Sequence, residues 1–198
     1  MLTLLLSAFL LIQAPTEKPT LERNLTYEVF SDDEHIGEIK ASYREENGTR
    51  TYEMQTDVTY KVLFKTIRFD NRITSRYQDD VLTEASSTDH LNDKPRSENR
   101  IEHKGDHYLV FEKDKSERLE ESSIQNCLSS LYFSEPKGLK SVFSQRLGKL
   151  IPMEEAEPHK YAVHLSSSKT NYYRFENGIC VEVEVNHWFA DFTFKLKR

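Results

Sequence analysis

The chain has 198 residues, 30% of them charged, with a net charge of −6 and both signs mixed throughout. No basic stripe appears, which argues against a nucleic-acid partner, because phosphate neutralisation needs clustered Lys and Arg. Apolar alternation recurs to the last residues and excludes intrinsic disorder, while 11 Phe and 10 Tyr favour half-buried sheet.

Leu2–Ile12 is an apolar run broken only by Thr3 and Ser7. A membrane-crossing helix needs about 20 apolar residues, so no span is predicted. The run matches the apolar core of a secretory signal ending near Ala14. Residues 1–14 are therefore assigned to a signal peptide, 15–22 to a flexible N-terminal segment, and 23–198 to a single β-rich domain. No Lys or Arg precedes the run and Pro15 follows Ala14 directly, so a short N-terminal core helix is the competing reading.

Leu25, Tyr27 and Val29 alternate as a first strand, with a turn at Ser31–Glu34. Ile39, Ala41 and Tyr43 form a second, followed by Asn47-Gly48, a hairpin signal because both positions tolerate positive φ. From Tyr52 to Phe64 the chain alternates again. Met54, Thr56, Val58, Tyr60, Val62 and Phe64 point one way, and Glu53, Gln55, Asp57, Thr59 and Lys61 the other. At about 3.3 Å per residue this strand spans roughly 43 Å, and so long a strand must coil, which suits a curved sheet.

Ile67, Phe69, Ile73 and Tyr77 line the next strand, which turns into Val81–Ala85. The polar stretch Ser86–Ser97, with its one proline, is expected as an exposed loop. Ile101 and Tyr108–Phe111 then flank a turn at Lys104-Gly105-Asp106. Ser122-Ser123-Ile124-Gln125 reads as a capping box, and Ile124, Cys127, Leu128 and Leu131 carry helical spacing. A second short helix is expected from Pro136 to near Gly148. Strands return at Tyr161, turn at Asn177-Gly178, and end with the alternating Trp188, Ala190, Phe192, Phe194 and Leu196.

The predicted fold class is all-β: an antiparallel meander forming a curved half-barrel or barrel, with a helical insertion near 119–146. No βαβ alternation appears, and a meander of long strands must close or hide its edges.

Leu131-Tyr132-Phe133-Ser134-Glu135-Pro136 with Val142-Phe143-Ser144, the hairpin around His35-Ile36-Gly37, and Asn171–Gly178 together resemble one family. It is a group of uncharacterised exported proteins of Bacteroidota, classed only as a domain of unknown function. The resemblance covers nearly the whole mature chain. It implies an envelope address and a β-rich fold similar to the curved sheets of periplasmic lipoprotein carriers, and it supplies no catalytic residues.

The residues themselves offer little chemistry. There is no Gly-x-Ser-x-Gly elbow, no Gly-rich phosphate loop and no Cys-x-x-Cys pair. His103 and His107 flank a turn, and Asp32-Asp33 and Asp79-Asp80 read as solvated turns. No catalytic residue, metal or cofactor is assigned. Cys127 and Cys180 form either one disulfide or two small buried hydrophobes. Glu135-Pro136 is either a ligand-contacting carboxylate or a helix-start pair.

The candidate ligand-binding residues are Met54, Val58, Tyr60, Phe64, Trp188 and Phe192. In a tightly closed sheet they are core; in an open one they line a cavity for a hydrophobic small molecule or lipid. The expected function is a non-enzymatic exported envelope protein, soluble and periplasmic or extracellular, that binds such a ligand. The alternative is a structural or interaction module with an envelope protein partner.

Overall fold

The computed structural model describes residues 20–62, 64–187 and 190–198. The expected signal stretch and Trp188 lie outside them. The first lobe runs through β1 (Leu21–Ser31), β2 (Glu34–Glu46), β3 (Thr49–Val62), β4 (Lys65–Gln78), β5 (Val81–Leu91), β6 (Lys94–His103), β7 (Tyr108–Glu112) and β8 (Lys115–Leu119). The second comprises β9 (Ser141–Ser144), β10 (Lys149–Glu157), β11 (Lys160–Ser166), β12 (Lys169–Glu176), β13 (Ile179–His187) and β14 (Ala190–Leu196).

Among the described residues, five hairpins turn through two residues that both have positive φ: Asp32-Asp33, Asn47-Gly48, Asp79-Asp80, Asn92-Asp93 and Asn177-Gly178. Asn and Asp tolerate this region because their short polar side chains bond locally, and the resulting turns match strand twist. The acidic pairs read from sequence are thus hinges of the meander.

All strands join one 14-stranded antiparallel sheet in the order β8-β7-β6-β5-β4-β3-β2-β1-β14-β13-β12-β11-β10-β9. β14 returns to pair with β1, Tyr27 opposite Leu196 and Ser31 opposite Phe192, so the first and last strands meet at mid-sheet. The sheet curls but does not close into a barrel. Its edges, β8 and β9, are consecutive in sequence. β1 begins at Leu21, inside the segment expected to be a flexible lead-in.

The expected helical insertion is corrected. Between β8 and β9 the chain makes a single 3-10 turn, Leu128–Tyr132, and the predicted second helix is instead strand β9. This connection runs across the interior and stitches the lobes together. Leu82 N–H donates to Ile124 O (2.9 Å), Phe143 N–H to Asn126 O (3.1 Å) and Glu135 N–H to Gly178 O (3.1 Å). Ile124, Cys127, Leu131, Tyr132 and Phe133 are all buried along it. From Cys127 to Phe133 every residue but Leu128 is buried, and a stretch so enclosed needs no amphipathic face, so its apolar spacing imitated a helix.

Aromatic packing holds the plug in place. Tyr132 meets Tyr27 edge-on at 5.0 Å and Tyr173 at 6.3 Å, while Phe133 lies 5.8 Å from Tyr52 and 5.9 Å from Tyr43. Tyr27 Oη donates to Cys180 O at 2.6 Å. Burial pushes the Tyr27, Tyr77, Tyr132 and Tyr173 hydroxyls well above the ordinary phenol range.

Cys127 and Cys180 are separate buried thiols. Cys127 Sγ sits 3.1 Å from Ser129 Oγ, and burial pushes the Cys180 thiol up to about 12. Both are expected to resist an aromatic disulfide reagent at pH 8 and to react together when the protein is unfolded in denaturant.

Candidate functional site

The plug fills the half of the interior that holds Tyr52, Tyr77 and Tyr108. A second part of the interior, where β4–β6 meet the turn between β9 and β10, is polar. On β4, β5 and β6 the inward positions include Asn71, Ser75, Ser87, Asp89 and Asn99, all buried. Asp89 is 1% exposed and accepts from Asn71 Nδ2 (2.6 Å), Ser97 Oγ (2.9 Å) and Arg146 Nε (2.7 Å). A buried carboxylate is stable only with such partners, and three donors converge on this one.

Arg146 links this cluster to the outside. Its side chain is 52% exposed, its guanidinium lies 5.7 Å from the Phe69 ring, and its carbonyl accepts from Asn99 Nδ2 at 2.6 Å. The neighbouring Gln145 is fully buried and donates through Nε2 to Ser75 and Ser129, both at 2.8 Å. Among the described residues Asn99 Oδ1 and Gln145 Oε1 have no hydrogen-bond partner, which leaves acceptor capacity inside the cluster.

Beside the polar patch lies an aromatic rim. Tyr60 on β3 and Phe192 on β14 meet edge-on at 5.5 Å. β2 and β1 separate these strands, a path of about 14 Å along a flat sheet, so the contact measures how tightly the sheet curls here. Tyr60, Phe69 and Phe192 are only partly buried against the core. Burial raises the Tyr60 hydroxyl, and the nearby Arg96 charge opposes that rise.

Of the residues singled out from sequence, Tyr60 and Phe192 come together at this mouth. Met54 and Val58 are 6% and 7% exposed and belong to the core. β3 ends at Val62, so Phe64 falls in the following turn, where it is fully exposed rather than facing inward. The expected loop Ser86–Ser97 is also corrected: it is the end of β5 and the start of β6, hinged at Asn92-Asp93. Asp89, Asn71 and Arg146 escaped sequence reasoning because inward positions were expected to be apolar. Polar residues at alternate positions, Ser87, Asp89, Ser97 and Asn99, were the available signal.

At the opposite end, Glu135 anchors the plug. Its side chain is 5% exposed; Oε1 accepts from His159 Nδ1 (2.8 Å) and Tyr161 Oη (3.0 Å), and Oε2 pairs with Lys137 Nζ (3.3 Å). Because a carboxylate only accepts, His159 must carry its proton on Nδ1. An open groove of about 690 Å³ lies alongside, bordered by Ser134, His159 and Asn177. Pro136 closes a turn, with Leu139 N–H bonded to its carbonyl, instead of starting a helix.

Desolvation pushes the Glu135 carboxyl up, but hydrogen bonds from His159, Tyr161 and Lys137 outweigh it and hold the pKa below its ordinary 4.5. A depressed carboxylate contributes stability above its unfolded pKa and loses it as pH falls through the folded value. The wild-type protein is thus expected to lose stability below about pH 4.5, and Glu135→Gln to lack that part of the slope. Urea midpoints measured from pH 6 to pH 3 check this.

Residues 27–197 match a family described as a domain of unknown function, DUF6134. The chain belongs to that family. No curated protein and no solved structure matches it.

Proposed function

We propose that this protein is a non-enzymatic, exported envelope component that binds a lipid-like or other hydrophobic ligand at the mouth of its curled sheet. The observation carrying this reading is the partly exposed Tyr60–Phe192 pair, with Phe69, beside the half-exposed guanidinium of Arg146. Aromatic walls with a few placed polar groups are the usual lining of sites for apolar molecules, and Arg146 suits a polar or acidic head. Among the described residues no helix is long and apolar enough to cross a membrane.

The alternative, an interaction module recruiting a partner strand, has weaker support. Edge strand β8 reads Lys-Ser-Glu-Arg-Leu and is mostly exposed, and charges on an edge discourage strand addition.

Native mass spectrometry of protein purified from a bacterial host tests the proposal. A near-stoichiometric adduct that lipid extraction removes, and that Phe192→Asp weakens more than tenfold on reloading, is expected. Protein that is reproducibly ligand-free and takes up no long-chain fatty acid contradicts it.

A further inference from the structure

The hairpin tip between β3 and β4 differs from its neighbours. β3 pairs with β2 only up to Val58 opposite Gly37, and β4 with β5 only from Phe69 opposite Leu91. Beyond that level Tyr60–Ile67 ladders with itself alone. At about 3.3 Å per residue, this two-stranded tip extends about 10 Å past its last bonds to flanking strands.

Its chemistry is equally distinct. The β1–β2 and β5–β6 tips at the same end carry Asp32-Asp33 and Asn92-Asp93. The β3–β4 tip carries Phe64, whose side chain is fully exposed at 104%. Between Asp57 and Asp70 the sequence has Lys61, Lys65 and Arg68 and no acidic residue, in a protein of net charge −6. Arg68 faces Asp57 (4.0 Å) and Asp93 (3.5 Å). Lys61 and Lys65 are exposed and have no ion-pair partner among the described residues.

We propose that this tip docks the protein on an anionic bilayer surface. Phe64 enters the boundary between headgroups and acyl chains, and Lys61 and Lys65 sit on lipid phosphates. An aromatic flanked by two cations is the arrangement that gains from both the apolar layer and the negative surface potential. The occupant is a lipid surface rather than a protein groove because the two charges that flank Phe64 on its own tip, Lys61 and Lys65, are both positive and carry no ion pair among the described residues. The docking stands whether or not the mouth holds a ligand, since it uses different side chains and a different readout.

Co-sedimentation with vesicles tests it, using phosphatidylcholine alone and phosphatidylcholine with 30% (about one lipid in three) phosphatidylglycerol. The full chain and a chain starting at Thr20 are compared, so that the apolar run at 2–12 does not carry the binding. Wild-type protein is expected to pellet preferentially with the anionic vesicles. Phe64→Ser lowers partitioning about tenfold, and Lys61→Glu with Lys65→Glu lowers it at least as much and removes the salt dependence. Unchanged thermal melts show that the variants fold. A Thr20 chain that stays in the supernatant with both vesicle types, leaving the tip to a protein partner, overturns the proposal. So does binding that neither variant alters.

Discussion

Gly37→Ala is expected to destabilise the protein by about 3 kcal/mol, combining a strained backbone with an overpacked strand pair. Gly37 has φ +154°, and a Cβ built there would lie 2.1 Å from the Asp57 carbonyl oxygen and 2.8 Å from Val58 Cα. Both are backbone atoms of β3, so no rotamer change relieves the clash; the strands themselves must separate. Gly37 also lies between Val29 and Val58 in the row where β1, β2 and β3 curl, directly after the register shift at Val29/Phe30. At this size a loss of about 3 kcal/mol lowers Tm by roughly 10 °C. Gly105→Ala is the control: its φ is +95°, but nothing lies within 4 Å, so only about 1 kcal/mol of backbone strain is expected. Urea denaturation of the two variants side by side separates close approach from turn conformation.

Tyr132→Ala is expected to cost about 3–5 kcal/mol, the range for deleting a buried aromatic ring. Tyr132 is 4% exposed and wedged between Tyr27 and Tyr173, so the vacated space touches both lobes of the sheet. Tyr60→Ala removes a ring of the same size from a partly exposed site and should cost only about 1 kcal/mol, because much of that ring already meets water. The two tyrosines therefore dissociate stability from binding. Loss of Tyr132 is expected to loosen the plug, while loss of Tyr60 is expected to leave the fold intact and, at the proposed site, to weaken ligand binding. Thermal melts with and without a long-chain fatty acid distinguish them, since a ligand stabilises only a chain that can bind it.

The elements that could be read from sequence have apolar inward residues and turns of Asn-Gly or paired acidic residues. β3 and the Asn47-Gly48 and Asn177-Gly178 hairpins satisfy both conditions, and the closing strand the first. The stretch Ser86–Ser97, which holds the end of β5 and the start of β6, satisfies neither. Ser87 and Asp89 face inward because both accept from Asn71, and Asp89 and Asn99 because they bond to Arg146, far away in sequence. That compensation is tertiary, so local alternation cannot reveal it. The connection 120–140 failed differently, since Ile124, Cys127 and Leu131 are spaced like a helical stripe yet are enclosed from all sides. β9 was hidden for the same reason: Val142 and Phe143 are both fully buried, so no alternation remains. Half of the candidate mouth was legible, namely Tyr60 and Phe192; its polar half required the fold.

Hydroxyl-radical footprinting with and without a long-chain fatty acid tests most directly the proposal that the partly exposed Tyr60–Phe192 rim, and not the buried plug, takes the ligand. In the free protein Tyr60 and Phe192 should be modified while Tyr27, Tyr132 and Tyr173 stay silent, and the fatty acid should silence the first pair alone. Modification of Tyr132 as fast as Tyr60, or a rim whose labelling no apolar ligand changes, would contradict the account.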